Sequence, residues 1–237
     1  MGVLRSLVFY PVFYGGSVLY VLVAVVLLGV APARLPVLVE RWSAFHRACV
    51  TRILGIKVRR TGEPASGPAL YAIKHESFFE AIDLPFMLEL PVGFAKKELF
   101  AIPGWGRAAA AYGIVPVARE DGARTLRDMV RQAKRYAALG RSLAIFPEGT
   151  RVQHGCRAPL QSGFAALYKV LGLPVVPVAI DSGPLYHRRW KRRGTIELRF
   201  GAPIEPGLPR AEIEARVLAG INALNPPAPA PDGAPAS

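Results

Sequence analysis

The chain has 237 residues, enough for one core-bearing domain and an appendage, and its formal net charge of +13 calls for an anionic partner. A 51% share of hydrophobic residues favours lipid, and no helix-turn-helix, zinc-finger or RNA-recognition signature supports nucleic acid. Cys49 and Cys156 have neither metal-site nor disulfide-framework spacing, so no metal is implied and a reduced, cytosolic catalytic domain is expected.

The first element is an apolar segment, Leu7 to Val30, that carries no charged residue. It is long enough to cross a bilayer, which takes about 20 apolar residues. A signal peptide is the alternative, but the run is long for that role and the Ala-Pro-Ala-Arg that follows is a poor cleavage site. Pro11, Gly15 and Gly16 interrupt the run and permit a bent or half-inserted helix.

The next segment, Leu35 to Val58, has apolar residues at helical spacing and predicts an amphipathic helix that lies at the membrane interface or packs on the catalytic domain. Arginines are more frequent after the apolar run than before it, where Arg5 stands alone. This asymmetry favours an inner-membrane location with the following domain on the cytoplasmic face. Membrane attachment is therefore expected, whereas spanning and lying in one leaflet both stay open.

From residue 61 onward, strands and helices alternate, which predicts an α/β fold with a largely parallel central sheet flanked by helices. The expected strands are Ala69–Ile73, Val92–Ala95, Ile114–Ala118, Ser142–Phe146, Val175–Ile180 and Thr195–Phe200. The expected helices are Phe78–Glu89, Leu99–Ala111, Leu126–Leu139, Phe164–Leu171 and Ala211–Leu224. The predicted organisation is a membrane-associated helical hairpin over 1–60, a catalytic domain over 61–225 and a disordered Pro/Ala-rich tail over 226–237.

A proton-transfer pair follows the first of these strands, in a His-x4-Glu motif formed by His75 and Glu80. In one regular helix the two would lie about 140° apart, on different faces. Ser77 to Glu80, however, has the form of a helix-opening capping box, so His75 precedes the helix and can fold back over its first turn. The alternative is that Glu80 only caps the helix and His75 is a loop residue.

A second polar turn, Phe146 to Arg151, follows the strand at Leu143–Ile145. Gly149 allows a close approach of the backbone to a ligand, Thr150 offers a hydroxyl, and Arg151 can hold a phosphate with two hydrogen bonds. A simple strand-to-loop turn would explain the proline and glycine but not Glu148 together with Arg151.

The sequences KHESFFE and FPEGTR resemble the first and third blocks of the glycerolipid acyltransferase family, in the same order and with a fitting separation. The resemblance implies an α/β catalytic domain with an N-terminal helical hairpin attached to one leaflet. It also implies that His75 is the general base, that Glu80 orients it, and that Glu148, Gly149, Thr150 and Arg151 bind the acceptor. Arg119, at the end of a stretch similar to the second block, is implied to help bind the acceptor phosphate.

The activity implied is transfer of a fatty acyl group from acyl-CoA or acyl-carrier protein, as co-substrate, to the sn-2 hydroxyl of 1-acylglycerol 3-phosphate, giving phosphatidate. No further cofactor and no covalent intermediate are expected. Many members have aspartate where this chain has Glu80, which is one methylene longer. The fourth block, Val175–Ile180, is either a core strand or a wall against the acyl donor.

Three other histidines (His46, His154 and His187) have no carboxylate at an informative spacing and are interpreted as structural. Asp83 is a poor substitute for Glu80, and Ser77 is explained by its capping role. The stretch Arg188 to Arg193 holds five cations around Trp190 and indicates contact with an anionic membrane surface. A solvated loop and a contact to the donor's phosphates or to an acidic carrier protein are its alternatives.

Two other functions stay open from the sequence. One is an acyltransferase of the same fold acting on another lysolipid, such as a lyso-ornithine lipid or a lysophospholipid with a head group. Pro159 to Gly163, which lacks a cation beside the third block, leaves that choice open. The other is a catalytically silent, membrane-bound lipid-binding protein, against which the intact His75 and Glu80 argue.

Overall fold

The computed structural model describes residues 2–118 and 122–226, apart from the side chains of 122–125. It opens with a helical hairpin in which α1 (Gly2–Val30) is followed by a short 3-10 turn (Pro32–Arg34) and by α2 (Leu35–Ala48). A π-helical stretch, Cys49–Leu54, extends α2. The predicted tail, apart from residue 226, and Arg119 lie outside the described residues.

The centre of the fold is a mixed sheet of seven strands in the order β1-β7-β6-β2-β5-β3-β4. All neighbouring pairs are parallel except β6 and β7, which confirms the predicted largely parallel α/β architecture. The strands are β1 (Ile56–Thr61), β2 (Leu70–Ile73), β3 (Val92–Lys96), β4 (Val115–Val117), β5 (Leu143–Ile145), β6 (Val175–Ile180) and β7 (Gly194–Phe200).

Helices cover both faces of this sheet. They are α3 (Phe79–Met87), α4 (Trp105–Tyr112), α5 (Gly122–Ala137), α6 (Ser162–Leu171), α7 (Gly183–Tyr186) and α8 (Arg210–Ile221). Because side chains alternate along a strand, Tyr71 and Ile73 point to one core and Leu70 and Ala72 to the other. The first core packs against α1, α3 and α7, and the second against α5, α6 and α8.

The predicted amphipathic helix ends before Val58, and this part of the prediction is wrong. Gly55 adopts a left-handed φ of 69° after the π-helical stretch, a conformation that ends helices and that glycine adopts without strain. Ile56 then begins β1, which pairs in parallel with β7 at the edge of the sheet. Residues 56–60, assigned from the sequence to the membrane segment, therefore belong to the catalytic sheet.

Only one side of the long helix α1 packs against the rest of the protein. Its inward residues Ser6, Phe9, Phe13 and Ala24 are buried. The opposite side is an exposed apolar face (Val3, Leu4, Leu7, Val8, Val12, Val18, Leu19, Leu22, Val23, Val25, Val26 and Val30). By length and composition α1 is able to cross a membrane.

Both ends of α1 touch the domain that contains the sheet. Ser6 accepts a hydrogen bond from the Lys191 backbone at 2.9 Å. Further along the helix, Val21 and Val25 lie so close to Gly104 that a Cβ there would meet them at 2.8 and 3.0 Å. Gly104, with φ 76°, follows Pro103 and breaks the predicted helix Leu99–Ala111 into a 3-10 turn and α4. The helix thus lies flat on the domain rather than projecting from it.

Candidate active site

The predicted site residues gather at the carboxyl ends of three neighbouring parallel strands. His75 follows β2, the Phe146–Arg151 turn follows β5, and Ser182 follows β6 on the other side of β2. Open α/β sheets bind their ligands at this edge, because loops from adjacent parallel strands meet there. The strand order therefore explains why two motifs that are 73 residues apart in the sequence form one site. The His75 N–H, in the first motif, donates to the carboxylate of Glu148 in the second.

His75 and Glu80 form the pair that the motif predicts. The Nδ1 atom of His75 lies 3.0 Å from Oε1 of Glu80, whose side chain is fully buried, while the His75 side chain is 16% exposed. Among the described residues, none hydrogen-bonds to Nε2, the other ring nitrogen. The ring also stacks on Phe146, with centroids 4.1 Å apart and planes inclined by 20°. Two contacts thus fix the ring and leave one nitrogen available to a reactant.

Glu80 accepts hydrogen bonds from several groups besides His75. Oε1 receives the backbone N–H of Glu76 at 2.5 Å and of Ser77 at 2.6 Å. Oε2 receives the hydroxyls of Ser77 at 3.1 Å and Ser182 at 2.7 Å. The contact to Ser77 N–H is the reciprocal half of a capping box, and the Ser77 hydroxyl accepts the Phe79 N–H at 3.0 Å. Glu80 therefore caps α3 and orients His75 at once, so the two sequence interpretations are compatible.

Arg151 stands at the mouth of the site. Its side chain is exposed and its guanidinium lies over the ring of Phe78, 4.4 Å from the centroid. The adjacent Val152 donates its N–H to the His75 carbonyl at 2.7 Å, which attaches this loop to the segment after β2. Thr150 is exposed, and Gly149 holds a left-handed φ of 68° that the turn requires. An exposed arginine beside the histidine is suited to an anionic ligand.

The Glu148 carboxylate is buried inside the domain, whereas the sequence resemblance implied that it binds the acceptor. The carboxylate binds the equally buried Lys74 ammonium at 2.6 Å. Lys74 also donates to the Cys156 carbonyl at 3.0 Å and to Asn222 at 2.9 Å. A negative group would moreover repel a phosphate. The geometry fits a positioning role, in which Glu148 joins β2, the loop after β5 and the end of α8.

The other histidines differ in their surroundings. His46 is fully buried, bonds the Tyr186 hydroxyl through Nε2 at 2.8 Å, and has a pKa lowered to about 3 by burial. His154 forms a second histidine–carboxylate pair, 2.9 Å from Glu76, that the sequence spacing did not indicate. Burial and then the charge of Arg151 lower the pKa of His187.

The remaining predicted residues do not contribute directly to this geometry. Asp83 is buried and binds Arg47, so it is not available to His75. All six residues of β6 are buried, which fits the interpretation of the fourth block as a core strand. Within residues 2–118 and 122–226, no cluster of three or more histidine, cysteine or acidic residues is placed to hold a metal.

A surface cavity of about 730 Å³ lies elsewhere, between α6 and the Pro206–Arg210 segment. It borders helices of the second core, on the face of the sheet opposite α1. It contains neither His75 nor Arg151, so its residues are not part of the candidate site.

Sequence comparisons match this chain to known proteins. The acyltransferase family profile matches residues 55–181, just over half of the chain. The 1-acyl-sn-glycerol-3-phosphate acyltransferase of Pseudomonas aeruginosa is 30% identical over 173 residues, which cover 71% of this chain and 67% of that protein. The protein of the same name from Helicobacter pylori is 27% identical over 135 residues, 56% of each chain.

A solved structure shares the fold. The crystal structure of the 1-acyl-sn-glycerophosphate acyltransferase from Thermotoga maritima superposes with a TM-score of 0.69 at 24% sequence identity. The match covers 93% of this chain and 92% of that one, so it includes the helical hairpin as well as the sheet.

Proposed function

Because this chain belongs to the acyltransferase family, we propose that it transfers a fatty acyl group to the sn-2 hydroxyl of 1-acylglycerol 3-phosphate, giving phosphatidate. The observation that carries the proposal is the His75–Glu80 pair, 3.0 Å apart at the carboxyl edge of the sheet beside the exposed Arg151. The acceptor is suggested by the names of the relatives, which are 1-acyl-sn-glycerol-3-phosphate acyltransferases.

In the proposed reaction, Nε2 of His75 removes the proton of the acceptor hydroxyl as its oxygen attacks the thioester carbonyl. The C–S bond then breaks, and the proton passes from the imidazolium to the leaving thiolate. Glu80 holds Nδ1–H, fixes the tautomer and stabilises the imidazolium that forms. A positioned base of this kind contributes roughly 10²–10⁴ in rate.

Arg151 is proposed to bind the acceptor phosphate, because it is exposed and its guanidinium can donate two parallel hydrogen bonds. Thr150 is exposed next to it and offers a hydroxyl to the same head group. Arg119, which lies outside the described residues, stays a predicted second phosphate ligand. Glu148 is proposed to hold the Phe146–Arg151 turn in place through its buried pair with Lys74.

Direct attack is proposed rather than an acyl-serine. The Ser77 hydroxyl is buried and shared among Glu80, Ser182 and the Phe79 N–H, so it does not face a substrate. The donor is proposed to be acyl-CoA or acyl-carrier protein, with no other cofactor, because the step needs only a thioester and a base.

Membrane association is proposed through the exposed apolar face of α1. Since α1 lies flat on the domain at both Ser6 and Gly104, we propose that it enters one leaflet, the cytoplasmic one, without crossing the bilayer. This places the acceptor lipid and the site on the same side of the membrane.

The proposal is tested by assaying purified His75→Ala for phosphatidate formation with both donors. We expect a loss of roughly 10²–10⁴ in kcat with vesicle binding retained. His154→Ala is the matched control, because His154 is also paired with a buried carboxylate, and we expect it to keep most of its activity. A His75→Ala protein that turns over normally would refute the assigned base.

The same assay with other lysolipids tests the acceptor. Turnover of a lyso-ornithine lipid or a head-group-bearing lysophospholipid, without turnover of 1-acylglycerol 3-phosphate, would identify the alternative substrate. Pro159 to Gly163, which follows the Arg151 turn in the sequence, carries no cation that would select for a phosphate head group.

A further inference from the structure

We propose that the segment Arg188–Arg193, called the basic loop below, binds the phosphate groups of anionic lipids in the leaflet that α1 enters. The inference rests on the proposed membrane attachment of α1. It adds a preference for lipid charge that acyl transfer itself does not require.

The basic loop carries five cations and no acidic residue. Its four arginines (Arg188, Arg189, Arg192 and Arg193) are exposed, whereas Lys191 is buried. Among the residues that the structure describes, none of these four arginines forms a salt bridge. Exposed arginines without acidic neighbours are free to bind phosphate.

The basic loop runs along the first turns of α1. The Tyr10 hydroxyl donates to the Arg189 carbonyl, and the Lys191 N–H donates to the Ser6 hydroxyl at 2.9 Å. The same turns present Val3 and Leu7 outward as part of the apolar face. Cations beside an apolar face are the arrangement by which surface helices bind anionic membranes.

Lys191 fixes this position. Its ammonium donates to the Tyr186 carbonyl at 2.8 Å and lies 3.7 Å from the centroid of the Tyr186 ring. The rings of Phe9 and Tyr10, both from α1, lie 5.7 and 5.5 Å from the same nitrogen. Aromatic faces attract an ammonium ion, so Lys191 attaches the basic loop to the membrane helix without a carboxylate partner.

The amino-terminal neighbour of the basic loop reaches the candidate site. The Gly183 N–H, at the start of α7, donates to Glu76 at 2.8 Å, and the Ser182 hydroxyl before it donates to Glu80 at 2.7 Å. Only the rest of α7 and His187 therefore separate the basic loop in sequence from the carboxylate that orients His75. Anionic lipid held there is close to the site that is proposed to take an anionic acceptor.

The test compares two variants of the full-length protein, each lacking four positive charges. The basic-loop variant carries Arg188, Arg189, Arg192 and Arg193 replaced by Gln. The control carries the same change at exposed cations of α5 on the opposite face of the sheet, Arg127, Arg131, Lys134 and Arg135. Binding is measured by co-sedimentation with phosphatidylcholine vesicles and with vesicles that also contain phosphatidylglycerol.

We expect wild type and the α5 variant to bind the anionic vesicles at least about tenfold more tightly than the neutral ones. The basic-loop variant should retain neutral-vesicle binding and lose most of that preference. A second variant, Lys191→Met, keeps the four arginines and should lose part of the preference, because the loop is no longer attached to α1.

Equal losses in the two quadruple variants would overturn the proposal, since net charge alone would then explain binding. An unchanged anionic preference with a raised KM for acyl-CoA would also overturn it and assign the loop to the donor's phosphates. Failure of wild type to bind vesicles of either composition would refute the membrane attachment itself, and with it this proposal, whereas turnover in detergent micelles reports on the proposed reaction separately.

Discussion

At the residue scale, the carboxylate of Glu80 is notable for the number of groups that hold it. Both oxygens are engaged, by two backbone N–H groups, two serine hydroxyls and the His75 ring. Glutamate has one more rotatable bond than aspartate, so its carboxylate needs more contacts to stay in one place. Ser182 supplies one of these contacts from the segment after β6, 102 residues away in the sequence.

We therefore expect Ser182→Ala to lower kcat by about 10- to 150-fold, the equivalent of one lost hydrogen bond to a charged group, with KM little changed. The reason is that Glu80 matters most when the His75 ring becomes charged. Steady-state kinetics over both substrates measure the separation of kcat from KM, and Ser182→Thr should restore part of the rate.

Ser43→Ala is the matched control for Ser182. Ser43 is equally buried and its hydroxyl donates to the Ile82 carbonyl at 2.7 Å, in contact with α3 but not with Glu80. It should lose a similar amount of stability and keep its kcat. Equal kcat losses in the two variants would mean that Ser182 acts only on stability.

At the element scale, the buried Lys74–Glu148 pair joins β2, the loop after β5 and α8. Removing one partner of a buried pair leaves an unpaired charge, so Glu148→Gln should lower the free energy of unfolding by about 3–5 kcal/mol. Urea unfolding in detergent measures this loss.

The same substitution at Glu214 is the control, because Glu214 pairs with Arg210 on the surface of α8. An exposed pair of this kind is worth about 0.3–0.5 kcal/mol, so Glu214→Gln should have little effect. A Glu148→Gln protein that is as stable as wild type but has a raised KM for the acceptor would contradict the positioning role. It would support the direct contact between Glu148 and the acceptor that the sequence predicts.

The elements that the sequence predicted well are those with a local signal. The capping box at Ser77 and the apolar strand before it placed His75 and Glu80 correctly relative to the sheet, because both signals lie within a few residues. The segment after Leu54 was misassigned since Ile53 and Ile56 continue a helical spacing. Gly55 was the local signal for the end of that helix.

Contacts between distant segments could not be predicted from one sequence. Ser182, Phe146 and Lys74 contribute to the site through partners on other strands, and the pair of His154 with Glu76 spans 78 residues. Their positions follow from the strand order, which the alternation of strands and helices leaves undetermined. The position of β2 between β5 and β6 would have indicated that Ser182 lies near His75. Ser182 follows β6 as His75 follows β2, and these two strands are parallel neighbours.

At the scale of the whole molecule, one buried histidine links the hairpin to the catalytic domain. His46 of α2 lies 5.0 Å from Phe13 of α1, 5.7 Å from Phe79 of α3 and 5.6 Å from Tyr186 of α7, as ring-centroid distances. A charge at this point would be surrounded by aromatic core residues. The stability of the assembled fold therefore depends on this ring staying neutral.

The pKa of His46 is about 3 in the folded protein and about 6.5 when exposed, so only the unfolded chain binds a proton between these values. Stability should therefore fall as the pH drops below about 6.5, with a loss of about 2 kcal/mol at pH 5 from this residue. His46→Gln can still bond Tyr186 and does not titrate. Urea unfolding of both proteins at pH 7.5 and pH 5 measures the difference.

The variant should lose less stability than wild type between pH 7.5 and pH 5. Its stability at pH 7.5 is expected to be lower than that of wild type, because Gln fills the site less well. Equal acid losses in the two proteins would show that other groups cause the pH dependence. The buried Asp83, whose pKa is raised by burial, is present in both and cancels in the comparison.

The attachment of α1 to the basic loop, through Ser6 and Lys191, also affects how the protein is synthesised and folds. Phe9 packs against Tyr186, so this partner leaves the ribosome only after more than 170 further residues have been translated. At about 5–20 residues per second that interval lasts some ten seconds or longer. Both sides of the helix are apolar during that time, and early delivery of the nascent chain to lipid would protect it from aggregation until β7 and the basic loop emerge.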